Sequence, residues 1–153
     1  MMPIFSRRLF AAAFAASLAF ASHHTMGQGS SAASAGQQAQ RYRVVLQVSD
    51  ADPAKWNLAL NNARNVQADL GKANVDVEIV AYGPGLAMLK GDSKVAGRLA
   101  EALDNSVGLM ACENTMRNTK VTKADMYGGI SYVDAGVVHI MKRQREGWAY
   151  IRP

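Results

Sequence analysis

From Arg41 onward, short β-branched apolar runs alternate with stretches whose apolar residues recur every three or four positions. Arg43 to Val48 (RVVLQV) predicts a strand. Asp52-Pro53 then supplies an N-cap and a proline suited to a first helical position. Trp56, Leu60, Ala63, Val66 and Leu70 share one helical face, and Gly71 marks the stop. Val75 to Tyr82 predicts a second strand, broken at Gly83-Pro84-Gly85. Ser93 is expected to cap a helix that carries Val95, Leu99, Ala102 and Leu103. Val107 to Ala111 predicts the third strand, ending at Cys112. Thr122-Lys123-Ala124-Asp125 approximates a capping box. Ile130 to Val133 predicts a fourth strand, Val137 to Gln144 a helix after Gly136, and Trp148 to Ile151 a last strand. Strands alternating with helices predict an α/β domain whose sheet is mostly parallel, with helices on its faces and right-handed crossovers.

The first 40 residues have a different character. Arg7 and Arg8 precede the apolar stretch Leu9 to Ala21, which ends in Ala19-Phe20-Ala21. A basic head, a short apolar middle and small residues at the exit define a secretory signal peptide over residues 1–21. The stretch is shorter than the roughly 20 residues a bilayer span needs. Ser6-Arg7-Arg8-Leu9-Phe10 also resembles a twin-arginine signal, although Ala11-Ala12 departs from that pattern. Ala33-Ser34-Ala35 offers a second small-residue cleavage site. Residues 22–40, rich in Gly, Ser, Ala and Gln, read as a flexible tether to a domain spanning 41–153. The expected address is the bacterial periplasm, with no membrane association once the signal is removed.

Charge narrows the partners. Losing Arg7 and Arg8 reduces 17 basic residues to 15 against 12 acidic ones, a balance of about +3. The one basic cluster, Lys142-Arg143-Gln144-Arg145, falls in a helical pattern and is expected on an exposed face. It lacks the interleaved aromatics or docking motif of a nucleic-acid binder. No cofactor motif is present, because Gly83-Pro84-Gly85 matches neither GxGxxG nor a P-loop. Cleavage after Ala21 would leave Ser22-His23-His24, whose amine and third-position histidine suit planar Cu(II) or Ni(II) coordination. An incidental pair of histidines in a tether is the plainer account, and no metal is assigned.

Cys112 is the only cysteine. It stands at a strand's carboxyl end, where α/β sheets bind ligands, and Glu113 to Arg117 suit a helix start that would favour a thiolate. Arg117 folding back would add positive charge, Glu113 would oppose it, and Asn114 and Thr115 supply donors. A buried inert thiol fits the position equally, since free cysteine is among the most buried residue types. In an oxidising space a solitary thiol is sheltered, paired between subunits, or reactive. Gly83, Pro84 and Gly85 form either a loop that walls a ligand or a turn with unusual φ values. Asn61 and Asn65 share a face of the first helix and point to the ligand edge, to a subunit, or to water. His139 is expected to be packed and hydrogen-bonded, Asp134 to sit in a turn or cap, and Trp148 and Tyr150 to share one face of the last strand.

Four phrases occur together in order: LNNARNVQADLG, VAYGPGLAML, ACENTMR and GVVHIMKRQREGWAYIRP. They resemble the DsrE/DsrF-like family, in particular its small single-domain branch, over nearly all of residues 41–153. The resemblance implies a three-layer α/β/α domain with about five strands, assembled into trimers or hexamers. Better-known relatives pass sulfur as a persulfide on a cysteine after a mid-chain strand, and Cys112 matches that position. Those relatives are cytoplasmic, whereas this chain carries an export signal. The expected function is an exported thiol-based sulfur carrier or sulfur and redox sensor using Cys112, with a sulfur donor or acceptor protein as partner. The alternative is a non-catalytic oligomeric binding or scaffolding protein with a buried cysteine.

Overall fold

In the computed structural model, residues 41–153 are described. The expected export signal, its two candidate cleavage sites, the expected tether and Ser22-His23-His24 lie outside the described residues. The five apolar runs form β1 (Tyr42–Val48), β2 (Val75–Ala81), β3 (Gly108–Cys112), β4 (Ser131–Val133) and β5 (Ala149–Ile151). They pair in the order β4-β3-β2-β1-β5, and every pairing is parallel. β1 and β2 pair along their full length, from Tyr42 opposite Val75 to Val48 opposite Ala81.

The helices are α1 (Pro53–Leu70), α2 (Ala96–Asp104), α3 (Glu113–Thr119) and α4 (Gly136–Arg145). Asp52 caps α1 by accepting the Ala54 N–H at 2.8 Å, and Gly71 ends it at φ 85°. From β1 to β4 the chain steps one place at a time across the sheet. α1, α2 and α3 all pack on one face there, because right-handed crossovers in one direction share a side. The step from β4 to β5 crosses back over the sheet, so the same handedness puts α4 on the opposite face. Three layers result.

The layers are unequal. The α1/α2 side holds the main core, where Leu46, Ile79 and Leu109 meet Trp56, Leu60, Ala63 and Leu99. On the other side Val45, Val80 and Ile140 are buried, with Tyr82, Met110 and Trp148 packed around them. Of the apolar residues Val137, Ile140 and Met141 on α4, only Ile140 is buried, while Val137 and Met141 are 53% and 58% exposed. One short helix cannot cover five strands.

Three expectations change in detail. Ser93 does not cap the second helix: its Oγ accepts the Val95 N–H at 3.3 Å within the preceding turn, and α2 begins at Ala96. The Thr122–Asp125 capping box forms, but it closes a single 3-10 turn over Lys123–Asp125. Gly83-Pro84-Gly85 opens a 3-10 run, Gly83–Leu89, instead of a simple turn.

Candidate functional site: a thiol between two helix starts

β3 sends Leu109 and Ala111 into the main core, so the alternating Met110 and Cys112 face α4. The chain then leaves β3 for α3 on the main-core side, where Met116 is buried, and leaves β4 for α4 on the other. Adjacent strands whose connections depart to opposite faces create a switch point, the usual location of ligand sites in open α/β sheets. Cys112 occupies it.

Both helix starts use the sulfur. Cys112 is the N-cap of α3, and its Sγ accepts the Thr115 N–H at 3.5 Å. Sγ also accepts the N–H of Gly136, the first residue of α4, at 3.2 Å. The first N–H groups of a helix have no intrahelical partner and carry its positive partial charge. Burial pushes the thiol pKa up. The Thr115 hydroxyl and the N–H groups of Gly136 and Thr115 outweigh burial, and the thiol lies below its ordinary value.

Thr115 is itself positioned. Its Oγ1 accepts the Gly83 N–H at 2.9 Å, which leaves the hydroxyl proton for Cys112. Gly83 reaches this point at φ 54°, in the region that favours glycine. Gly85 serves another purpose. A Cβ there would lie 2.4 Å from the Val48 carbonyl oxygen, so only glycine lets this segment rest on the end of β1. Pro84 is exposed.

The structure therefore joins Cys112, Thr115 and Gly83, and leaves Pro84 and Gly85 out of contact with the sulfur. Asn114 contributes its N–H to the Asp134 carbonyl at 3.0 Å, while its exposed side chain accepts from Arg117. Neither Asn114 nor Arg117 turns its side chain to the thiol. Glu113 pairs with Lys123 at 3.3 Å, which offsets the opposing charge it was expected to add. Asp134 lies in the bend before α4 and serves through its carbonyl. Asn57 and Asn61 bind Arg98 of α2, so Asn61 looks to the neighbouring helix and not to the ligand edge. Asn65 is exposed.

Sequence reasoning missed Gly136 as a donor and Tyr82 as a neighbour. A Cβ on Gly136 would lie 3.0 Å from the Tyr82 ring, so this glycine lets the ring pack on the first turn of α4. Burial and the nearby Tyr150 and Cys112 raise the Tyr82 phenol, against a lowering influence from Arg152, and keep it protonated. A glycine opening a helix just after a short strand was the available signal.

It also missed a buried ionic cluster. Glu78, 7% exposed on β2, accepts Arg143 Nε at 2.9 Å and Nη2 at 2.6 Å, and meets His139 Nε2 at 2.8 Å. Arg143 also lies 4.7 Å from the Trp148 ring and reaches Glu146. The basic cluster of α4 is thus not wholly a solvated face: Arg143 turns inward. His139 has a carboxylate partner that its own neighbourhood in sequence does not show.

A cavity of about 310 Å³ lies between α1 and α2 with none of the thiol group in its walls. The sulfur occupies a seam, not a pocket. Among the described residues, no three or more His, Cys, Asp or Glu are grouped to hold a metal ion. No helix there is long and apolar enough to cross a membrane.

No family model matches the chain, and no curated protein matches it. Among solved structures it is similar to the protein of unknown function MTH1491 from Methanobacterium thermoautotrophicum. The two are 41% identical over 73% of this chain and 99% of that one, with a TM-score of 0.70. The chain belongs to the family of MTH1491. The conserved protein of unknown function BT1422 from Bacteroides thetaiotaomicron matches 72% of this chain and 94% of its own, at 14% identity and a TM-score of 0.56. That likeness extends the fold alone. Membership in the MTH1491 family thus carries the α/β/α architecture and assigns no chemistry to Cys112.

Proposed function

We propose that this protein is an exported, thiol-based sulfur carrier or sulfur sensor in which Cys112 holds sulfur as a persulfide. The observation that carries the reading is the Gly136 N–H on Sγ at 3.2 Å, added to the Thr115 N–H at 3.5 Å. Two N–H donors from two helix starts converge on one sulfur at a sheet switch point, and they favour the thiolate, the nucleophilic form. With thiosulfate as donor, the thiolate attacks the outer sulfur and an S–S bond forms to Sγ. The original S–S bond breaks and its electron pair leaves with sulfite. No separate oxidant is required. The same donors then face an anionic persulfide. Because Cys112 is 4% exposed, loading proceeds through local opening of the seam.

Purified protein incubated with thiosulfate or polysulfide should gain the mass of one or more sulfur atoms, removable by a reducing thiol. Absence of added mass, or equal addition to Cys112→Ser, refutes the reading.

One observation favours a second reading. A sulfur 4% exposed that caps two helices is also what a purely structural cysteine would look like, in a non-catalytic oligomeric binding or scaffolding protein. Alkylation separates the two. A working thiol reacts in the native state, with a pKa below the free value of about 8.5. A structural cap reacts only after unfolding.

Assembly and export belong to the same proposal. The thinly covered α4 face, with Val137, Val138 and Met141 exposed, supports burial against further copies of this chain in a trimer or hexamer. Met141→Glu should lower the mass measured by light scattering. Periplasmic fractionation with N-terminal sequencing tests the signal.

A further inference from the structure

The α1/α2 cavity plays no part in the thiol site. Helices α1 and α2 run opposite to the strands, so the carboxyl-terminal halves that supply most of the cavity wall lie toward the amino end of the sheet. Cys112 stands at the carboxyl end. The floor is apolar: Leu60 and Ala63 from α1, Ala102 from α2, and Val107 before β3. The walls are cationic, with Arg64 from α1, Lys72 just after it, and Arg98 from α2.

None of these three cations has a carboxylate within 4.0 Å. The ion-paired basic residues Arg41, Lys55, Lys90, Lys123, Arg143 and Arg152 lie elsewhere among the described residues. Arg98 is held in place by neutral groups, through Nη1 to Asn57 Oδ1 at 2.6 Å and Nη2 to Asn61 Oδ1 at 2.7 Å. Lys72 Nζ rests on the Asp104 carbonyl at 3.0 Å, and exposed Arg64 reaches Asn61 Oδ1 at 3.4 Å. Amide and carbonyl oxygens orient these groups but leave their charge uncompensated. The one acidic wall residue is Glu101. Neutral side chains would tie the helices together equally well. Three cations around an apolar floor are an arrangement for a ligand.

We propose that this cavity binds a small organic anion, with an oxyanion head group at Arg64 and Arg98, which share Asn61 Oδ1, and an apolar body on Leu60, Ala63, Ala102 and Val107. Guanidinium forks match the two oxygens of a carboxylate or phosphate. At roughly 30 Å³ per water-sized volume, 310 Å³ accommodates roughly ten non-hydrogen atoms. The site is independent of sulfur chemistry at Cys112.

The test uses octanoate, 1-octanol and inorganic phosphate as probes, titrated into the isotope-labelled protein and followed by amide chemical shifts. Octanoate should bind saturably and shift the amides of Gln67, Arg98 and Val107 while leaving Cys112 unchanged. Octanol, lacking the charge, and phosphate, lacking the apolar body, should each bind at least roughly tenfold more weakly. Arg64→Glu and Lys72→Glu alter exposed positions and keep the circular dichroism spectrum; Arg64→Glu should weaken octanoate by roughly tenfold or more, and Lys72→Glu, at the other end of the cavity, should weaken it less. Failure of octanoate to saturate, equal binding of octanol or phosphate, or wild-type affinity in Arg64→Glu overturns the proposal.

Discussion

Replacing Glu78 tests what holds α4 to the sheet. α4 buries one apolar side chain, Ile140, so its attachment rests heavily on the contacts of Glu78 with Arg143 and His139. Removing one member of a buried ion pair costs about 3–5 kcal/mol, because the partner's charge is left behind. Two features place this case at the lower end. The Arg143 side chain is 27% exposed, and it retains Glu146 at 2.9 Å. The expected loss for Glu78→Ala is therefore about 3 kcal/mol. With an unfolding entropy of about 2.1 cal/mol/K per residue, a domain of about 113 residues loses about 12 °C in Tm. Urea and thermal unfolding measure both quantities. A cycle with Arg143→Ala should return a coupling of about 2 kcal/mol, and the double change Glu78→Leu with Arg143→Leu should recover much of the loss. Amide exchange should quicken in α4 more than in α1. Alkylation of Cys112 should quicken too, since Gly136 leaves the sulfur when α4 loosens. A loss below about 1 kcal/mol, or zero coupling, would refute the assignment of Glu78 as the anchor of α4.

Other outcomes test the site and its frame. Thr115→Val removes the hydroxyl between Gly83 and Cys112 and should raise the thiol pKa, whereas Thr115→Ser should leave it near wild type; the pH profile of iodoacetamide modification reads both. Because folding depresses the Cys112 thiol pKa, wild type should gain stability over Cys112→Ala as pH rises through the folded value, levelling off above the unfolded value of about 8.5. Denaturant melts across that range that show a falling difference would contradict the sign. Gly85→Ala drives a Cβ against the Val48 backbone and should cost about 2–3 kcal/mol, while Pro84→Ala should cost under about 0.5 kcal/mol by the same melts. Asp52→Ala removes the α1 cap and should cost about 1 kcal/mol.

The chain's periodicity alone was sufficient for the sheet. Runs such as RVVLQV and VDVEIVAY carry too many adjacent apolar residues for a surface helix, and alternation with helical stretches admits mainly a parallel arrangement. The helix punctuation at Asp52-Pro53 and Gly71 was equally legible, because capping depends on a few adjacent residues. So was the position of Cys112 at the end of a strand and the start of a helix. Ser93 misled, since its hydroxyl serves a turn two residues on as readily as a helix start.

Contacts between segments far apart in the chain could be decided only by the tertiary structure. Gly136 lies 24 residues from Cys112, and Glu78 lies 61 and 65 residues from His139 and Arg143. No local pattern encodes such distances. The return crossover from β4 to β5 creates both contacts, by carrying α4 to the other face with its first N–H on the sulfur and its Arg143 over β2. Handedness drives that crossover, and the thin apolar face of α4 explains why a buried carboxylate helps to hold it. The sequence determined a thiol at the end of a strand. Folding determined that two helices begin at its sulfur.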